Sequence, residues 1–554
     1  MIYISALVEA RDTQIALRDG TRLAADVFLP DGPGPHPVLV ALSPYGKEIQ
    51  SLPVPPQPPT SPVYAREIEA GDPRYLTEHG YVHVIVDVRG TGKSQGVYRG
   101  WMSADEARDG YDVIEWAAAQ EWSDGNVGMA GVSYFGAIQL AAAALRPPHL
   151  KAIMPLNAPA DYYREGSHHG GILHTFFDYI YMVYARGRAV SDVVEKSSPA
   201  DLEEIVERLI SDPDLPMYPG LYNAAANPDR SPLFFDLLAN PLDGPFYWER
   251  SAYRSYDRIE VPFYTGSGWW AYAHMHLRGA FQHFDGIDAP KKLYIESRVE
   301  ADAPMDEAYN AEVVRWYDHW LKGVENGIMD EPPIRLHVRG RGWREEHGWP
   351  LPGTEWTELH LRRFGRLARD PEPVEGSIGV FVQPPVEVDP RVASCDYVTD
   401  PLLEPVEVVG PAALTLHAAI DSEDTNWMAA VLDVCPDGSE VELTRGYLKA
   451  SHRELDESRS EPWRPFHPHL RADPVEAARA YEYRIELSPL ATVFEAGHRI
   501  KLSISCLDHP MWPPPDLELG HDHQPWHLCR RATVTHTILH DRRHRSRLLL
   551  PFVG

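Results

Sequence analysis

The sequence predicts an α/β fold, a mostly parallel sheet with helices on both faces, that carries an inserted helical cap and ends in an all-β domain. Three observations predict it. Strand and helix signals alternate through residues 1–155, strand signals become scarce over 156–254, and beyond about 335 short alternating segments follow one another with turn residues between them. At 554 residues the chain is also too long for one core, so two or three domains are expected.

The elements follow in chain order. Thr13–Pro30 reads as a hairpin, alternating and turning at Asp19-Gly20. Pro37–Gly46 and Tyr81–Gly90 are short apolar runs ending in turns, as buried strands do. Ser103 opens a helical pattern that runs to Gln120. Asn126–Pro147 gives a strand, a tight turn and a helix of small residues. The cap follows over 156–254: Asp161–Val190 is aromatic-rich and reads as helical, and Asp201–Ile210 is an amphipathic helix. Strand and helix signals return over 255–334, with Arg258–Trp270, Ala289–Val299 and the helix Ala308–Gly323. The region 335–554 holds five clear strand patterns, beginning at Ala412, Trp427, Glu440, Ala480 and His498, whose spacing suits a sandwich or jelly roll. The Pro-rich stretch Leu52–Pro62 reads as an extended surface loop.

Composition narrows the partners. The formal charge is −29, which repels phosphates and anionic lipid, so neither a nucleic acid nor a membrane surface is expected. No run of about 18 apolar residues is present to span a bilayer, and the N-terminal residues lack a basic stretch followed by an apolar one. A cytoplasmic location is the default expectation. Cys395, Cys435, Cys506 and Cys529 lie far apart without a C-x-x-C pair. That pattern suits buried thiols better than a zinc site or a disulfide framework. No metal cluster and no cofactor fingerprint stands out.

The segment that carries chemistry is Gly128-Met129-Ala130-Gly131-Val132-Ser133-Tyr134-Phe135-Gly136. A serine between an apolar strand and a small-residue helix sits on a sharp turn, its hydroxyl held above the sheet edge. The backbone N–H of Tyr134 points into the same space and can hold an oxyanion. Tyr45, in Ser43-Pro44-Tyr45-Gly46 at the end of an early strand, could donate the second hydrogen bond, or simply pack on the core as a turn tyrosine. The run Asp87-Val88-Arg89-Gly90-Thr91-Gly92-Lys93-Ser94 departs from phosphate-loop spacing and reads as a structural loop with Asp87 and Arg89 paired.

These motifs together resemble the CocE/NonD hydrolases, the X-prolyl dipeptidyl-peptidase-like α/β-hydrolases. The similarity rests on Asp87–Gly96 and Asp109–Gly136, and continues through Tyr247–Pro262, Trp316–Val338, Val406–Gly438 and Val493–Ser505. It implies an α/β-hydrolase domain (1–155 with 255–334), a helical cap (156–254) and a C-terminal jelly roll (335–554). It further implies Ser133 as nucleophile, an oxyanion hole from the Tyr45 hydroxyl and the Tyr134 N–H, and a site where the three domains meet. Self-association is frequent in the family, so a homo-oligomer is a further expectation.

Two positions depart from the family pattern. The family acid follows a G-W-Y-D type segment; here Gly268-Trp269-Trp270-Ala271 puts alanine in its place. The family histidine lies in a G-P-W-x-H type segment; the counterpart here is Glu296-Ser297-Arg298-Val299-Glu300. A serine hydroxyl is a weak nucleophile without a base. Glu300 is the preferred substitute because it holds the base's position, and burial would raise its affinity for protons. His274 or His276, just past Ala271, and His168 or His169 in the cap are the other candidates. Trp269, Trp270, His169 and His274 are assigned to the substrate pocket, with aromatic cap residues Phe176, Phe177, Tyr179, Tyr181 and Tyr184 lining it or packing in the core.

The expected activity is therefore a serine-hydrolase reaction on a small ester or amide with a non-standard proton relay. Two alternatives stay open: a non-hydrolytic biosynthetic enzyme (acyl transfer, rearrangement or elimination) that uses Ser133 and Tyr45 to polarise a carbonyl, and a catalytically weak binding protein.

Overall fold

The computed structural model describes residues 8–48, 69–175, 188–269, 273–296, 307–508 and 526–554. A ten-stranded sheet forms the first unit. Its strands are β1 (Val8–Ala16), β2 (Arg22–Phe28), β3 (His36–Ser43), β4 (Val82–Asp87), β5 (Ser123–Met129), β6 (Leu150–Ile153), β9 (Phe263–Gly268), β10 (Lys291–Glu296), β11 (Ile334–Val338) and β12 (Gly342–Glu346). Their order is β1-β2-β4-β3-β5-β6-β9-β10-β11-β12. The strands from β4 to β11 run parallel, and antiparallel strands flank them at both edges.

The central strands are buried on both faces, as a parallel sheet between helix layers requires. Helices α2 (Ala104–Ala118) and α3 (Tyr134–Ala143) cover one face; α1 (Pro73–Glu78) and α10 (Glu307–Lys322) cover the other, where Trp316 and Tyr317 pack on Leu39 and Ala152. The sheet extends past the expected boundary at 334. The turn after Val338 returns the chain as β12, which pairs along β11.

Among its described residues the insertion holds five α-helices, α4 (Asp192–Lys196), α5 (Pro199–Ile210), α6 (Pro219–Ala226), α7 (Pro232–Ala239) and α8 (Pro245–Trp248), and their apolar faces join the core of the first unit. The stretch expected to be helical from Asp161 behaves differently. It makes one π-helical turn, Tyr162–Ser167, and then a hairpin of β7 (His168–His169) and β8 (Ile172–Leu173). Gly170 and Gly171 force the reversal, both at positive φ.

This hairpin docks on the C-terminal domain. Lys449 N–H donates to the Gly170 carbonyl at 2.8 Å, and Leu528 N–H to that of Leu173 at 2.9 Å. The domain is an eleven-stranded sheet, β13 to β23. Among its strands are β17 (Val406–Ile420), β18 (Asn426–Val434), β19 (Glu440–Lys449), β20 (Tyr481–Phe494) and β21 (Arg499–Ser505), which match the five sequence patterns. The last strand, β23 (Arg547–Val553), pairs with both β13 (Glu355–Arg362) and β17, so the sheet curls back on itself around a core of its own. Among the described residues, no helix is long and apolar enough to cross a membrane.

Candidate active site

Ser133 lies between β5 and α3, as the N-cap residue of α3, with φ 58° and ψ −118°. That is a strained backbone for a residue with a Cβ, and it is held by the surroundings. Ser133 N–H donates to the Leu156 carbonyl at 3.0 Å and Val132 N–H to that of Glu69 at 2.8 Å. Gly131 has φ +118°, and a Cβ there would lie 2.4 Å from the Cβ of Phe135 and 2.7 Å from the Glu69 carbonyl. The small residue is thus imposed by the turn. Ser133 is half-buried, while its neighbours Val132 and Tyr134 are buried.

The partner of the hydroxyl comes from α9 (Ala273–Gly286): His276 Nε2 stands 3.4 Å from Ser133 Oγ. His276 is 5 % exposed. The separation is at the long end of the hydrogen-bond range.

Tyr134 is the first residue of α3, where backbone N–H groups have no acceptor within the helix. Its side chain turns inward. The hydroxyl donates to Glu106 and lies 3.2 Å from that of Tyr98, and its ring meets Trp101 edge-on at 4.8 Å. Glu106 also closes the capping box of α2 by accepting from Ser103 N–H at 3.0 Å. Burial, opposed by these donors, pushes its carboxyl up to about 7. The Tyr45 ring lies edge-on to Tyr134 at 5.8 Å and to Phe135 at 6.1 Å, the two residues that follow Ser133.

The Tyr45 loop is anchored by charge. Asp87 accepts from Lys47 N–H at 2.7 Å and from Lys93 N–H at 2.9 Å. Lys47 Nζ is buried against Asp26 at 2.9 Å and Asp12 at 2.7 Å. The expected Asp87–Arg89 pair does not form. Arg89 turns instead to Asp109, with Nε 2.6 Å from Oδ2, because the Asp87 carboxylate is committed to backbone donors.

Two residues expected in the pocket have partners elsewhere. Trp269 is buried between α9 and the sheet, its indole N–H donating to the His337 carbonyl at 2.6 Å and its ring beside Phe281. It extends β9 and so points into the core. His169 belongs to the docking hairpin. Its Nδ1 is 2.7 Å from His527 Nε2, whose ring in turn meets Asp508 at 2.7 Å, while Nε2 of His169 faces the Glu165 carbonyl at 3.1 Å. Glu300, Trp270, the aromatic cap residues from Phe176 to Tyr184 and the side chain of His274 lie outside the described residues. Of the expected substitutes for the family histidine that fall among the described residues, His276 is the one seen beside the serine. Its signal was its place shortly after the Gly268-Trp269-Trp270-Ala271 segment.

Among the described residues, one group has donor geometry for a metal ion: Asp433, Cys435 and His498. The Asp433 carboxylate already takes His498 Nδ1 at 2.8 Å and Arg339 at 2.7 Å, so it is explained as a buried ion pair.

Known proteins agree with this architecture. Residues 19–298 match the X-Pro dipeptidyl-peptidase (S15 family) model, and residues 326–549 match that of the X-Pro dipeptidyl-peptidase C-terminal non-catalytic domain. The chain is 26% identical to a cocaine esterase of Rhodococcus sp. (strain MB1 Bresler), over 98% of each chain. It is 21% identical to a putative Xaa-Pro dipeptidyl-peptidase of Bacillus cereus, covering 85% of this chain and 80% of that one. A CocE/NonD family hydrolase structure from Staphylococcus aureus superposes with a TM-score of 0.79 at 27% identity, over 98% of this chain and 93% of that one. The chain belongs to the X-Pro dipeptidyl-peptidase (S15) family and is a hydrolase of the CocE/NonD type.

Proposed function

We propose that the protein hydrolyses a small ester or amide through an acyl-enzyme, with Ser133 as nucleophile and His276 as its base. The contact between Ser133 Oγ and His276 Nε2, at the strained bend, carries this reading. His276 takes the hydroxyl proton as Oγ bonds to the substrate carbonyl carbon. The carbonyl oxygen becomes an oxyanion and is held by the Tyr134 N–H and the Tyr45 hydroxyl. When the tetrahedral centre collapses, the bond to the leaving alcohol or amine breaks and His276 returns the proton to it. Water then repeats the sequence and releases the acid.

The relay departs from the family's in the origin of the histidine. It comes from the helix after β9, in place of the loop after β10. A fluorophosphonate probe tests the reading: it should add one adduct, at Ser133, and lose it in Ser133→Ala. Absence of labelling in folded protein, or labelling unaffected by His276→Ala, would overturn it.

A further inference from the structure

A cavity of about 260 Å³ lies between the cap and the C-terminal domain, away from the serine site, with which it shares no lining residue. Much of its lining is aliphatic, Leu209 from α5, Leu237 and Leu238 from α7, and Leu528 from the C-terminal domain, and the imidazoles of His168 and His452 also line it. Its charged lining is unequal. Arg208 donates to the Ala239 carbonyl at 3.3 Å and has no carboxylate within ion-pair distance among the described residues. Among the described residues, the one carboxylate within ion-pair distance of Lys449 is that of Asp424, at 3.7 Å. That carboxylate is already taken up by Ser451, through its N–H at 2.9 Å and its hydroxyl at 2.7 Å, and by Thr425 N–H at 3.0 Å. The third charged group, Asp212, accepts from the N–H groups of Asp214 at 2.8 Å and Leu215 at 3.2 Å.

We infer that this cavity binds a free aliphatic carboxylate of medium length. The guanidinium of exposed Arg208 and the ammonium of partly exposed Lys449, beside a largely aliphatic lining, complement an anionic head on a hydrocarbon tail. At ~30 Å³ for each water-sized group, there is room for a chain of roughly eight such groups. The polar backbone of the β7–β8 hairpin closes one side, through Gly171 and Ile172, so the ligand would touch cap and C-terminal domain at once.

Titration calorimetry of the whole chain with sodium octanoate tests this. One site per chain is expected. Affinity should rise about fourfold per methylene from butanoate to octanoate and then level off. Octanamide, which has the same tail without charge, should bind at least tenfold more weakly. Arg208→Gln with Lys449→Gln should cut octanoate binding about tenfold and leave octanamide unchanged. Ala472→Trp, at an exposed lining position, should block both ligands without disturbing the fold. No saturable binding, or equal binding by the Ala472→Trp variant, would overturn the inference. So would loss of binding when Ser133 is capped by a fluorophosphonate, which would place octanoate in the hydrolytic site.

Discussion

The Tyr134 hydroxyl donates to the buried carboxylate of Glu106, which joins the residue after Ser133 to the first turn of α2. One carboxylate thus serves both a helix cap and the packing under the serine turn. Its folded-state affinity for protons is raised, to about 7, chiefly by burial. The sign follows: the folded state holds this proton where the unfolded state has released it, so the contribution is full below the unfolded value near 4.5 and is lost as pH rises through about 7. Glu106→Gln is expected to flatten the pH dependence of denaturant midpoints across that window. Glu106→Ala, which leaves the Tyr134 hydroxyl with Tyr98 and removes the cap of α2, should cost about 1–3 kcal/mol at acidic pH and less as pH rises through about 7.

Removal of the base should affect turnover more than binding. His276→Ala is expected to lower kcat on an aryl ester by about three to four orders of magnitude with little change in KM. The double variant with Ser133→Ala should be no worse than either single one, because the two groups act as a unit. Steady-state kinetics check both statements. An active His276→Ala enzyme would move the base elsewhere.

Tyr45→Phe should leave the fold intact and lower kcat by about 10²–10³, the usual loss for one oxyanion donor. Its fluorophosphonate labelling should slow by a similar factor, which separates a lost oxyanion contact from lost substrate affinity.

The cap and C-terminal domain meet over buried histidines. Burial lowers the proton affinity of His168, His169 and His469 well below the ordinary range, and that of His452 to about 4. These rings are neutral when folded and titrate near 6.5 when unfolded. Stability is therefore present above that value and is lost as pH falls from about 6.5 through about 4. Urea midpoints should fall across this range, and His452→Asn should make the slope shallower.

Gly170 has φ +57°, and a Cβ there would sit 2.0 Å from the Tyr447 carbonyl oxygen. Gly170→Ala should therefore destabilise the docking of hairpin on β19 by more than about 2 kcal/mol, read as a lower thermal midpoint. A surface control, Gly438→Ala, has open space around it but the same kind of φ, and should cost only the backbone strain.

Local pattern settled most of the architecture. Buried strands declared themselves by continuous apolar runs, the C-terminal strands by alternation, and the serine turn by the small residues that its tight bend demands, because each signal is written within about ten neighbouring residues. The pairing of β12 along β11, which carries the first sheet past residue 334, is a partnership no local pattern reveals.

The amino-acid sequence alone determined which hydroxyl stands at the bend between an apolar strand and a small-residue helix. Only the tertiary structure decided which described imidazole lies beside it: α9 packs so that His276, 143 residues along the chain, meets Ser133. It likewise sent Trp269 into the core and His169 to the domain interface. The reason is that a side chain's role depends on which faces of distant elements come together, and those faces are chosen by long-range packing and not by neighbours in the chain.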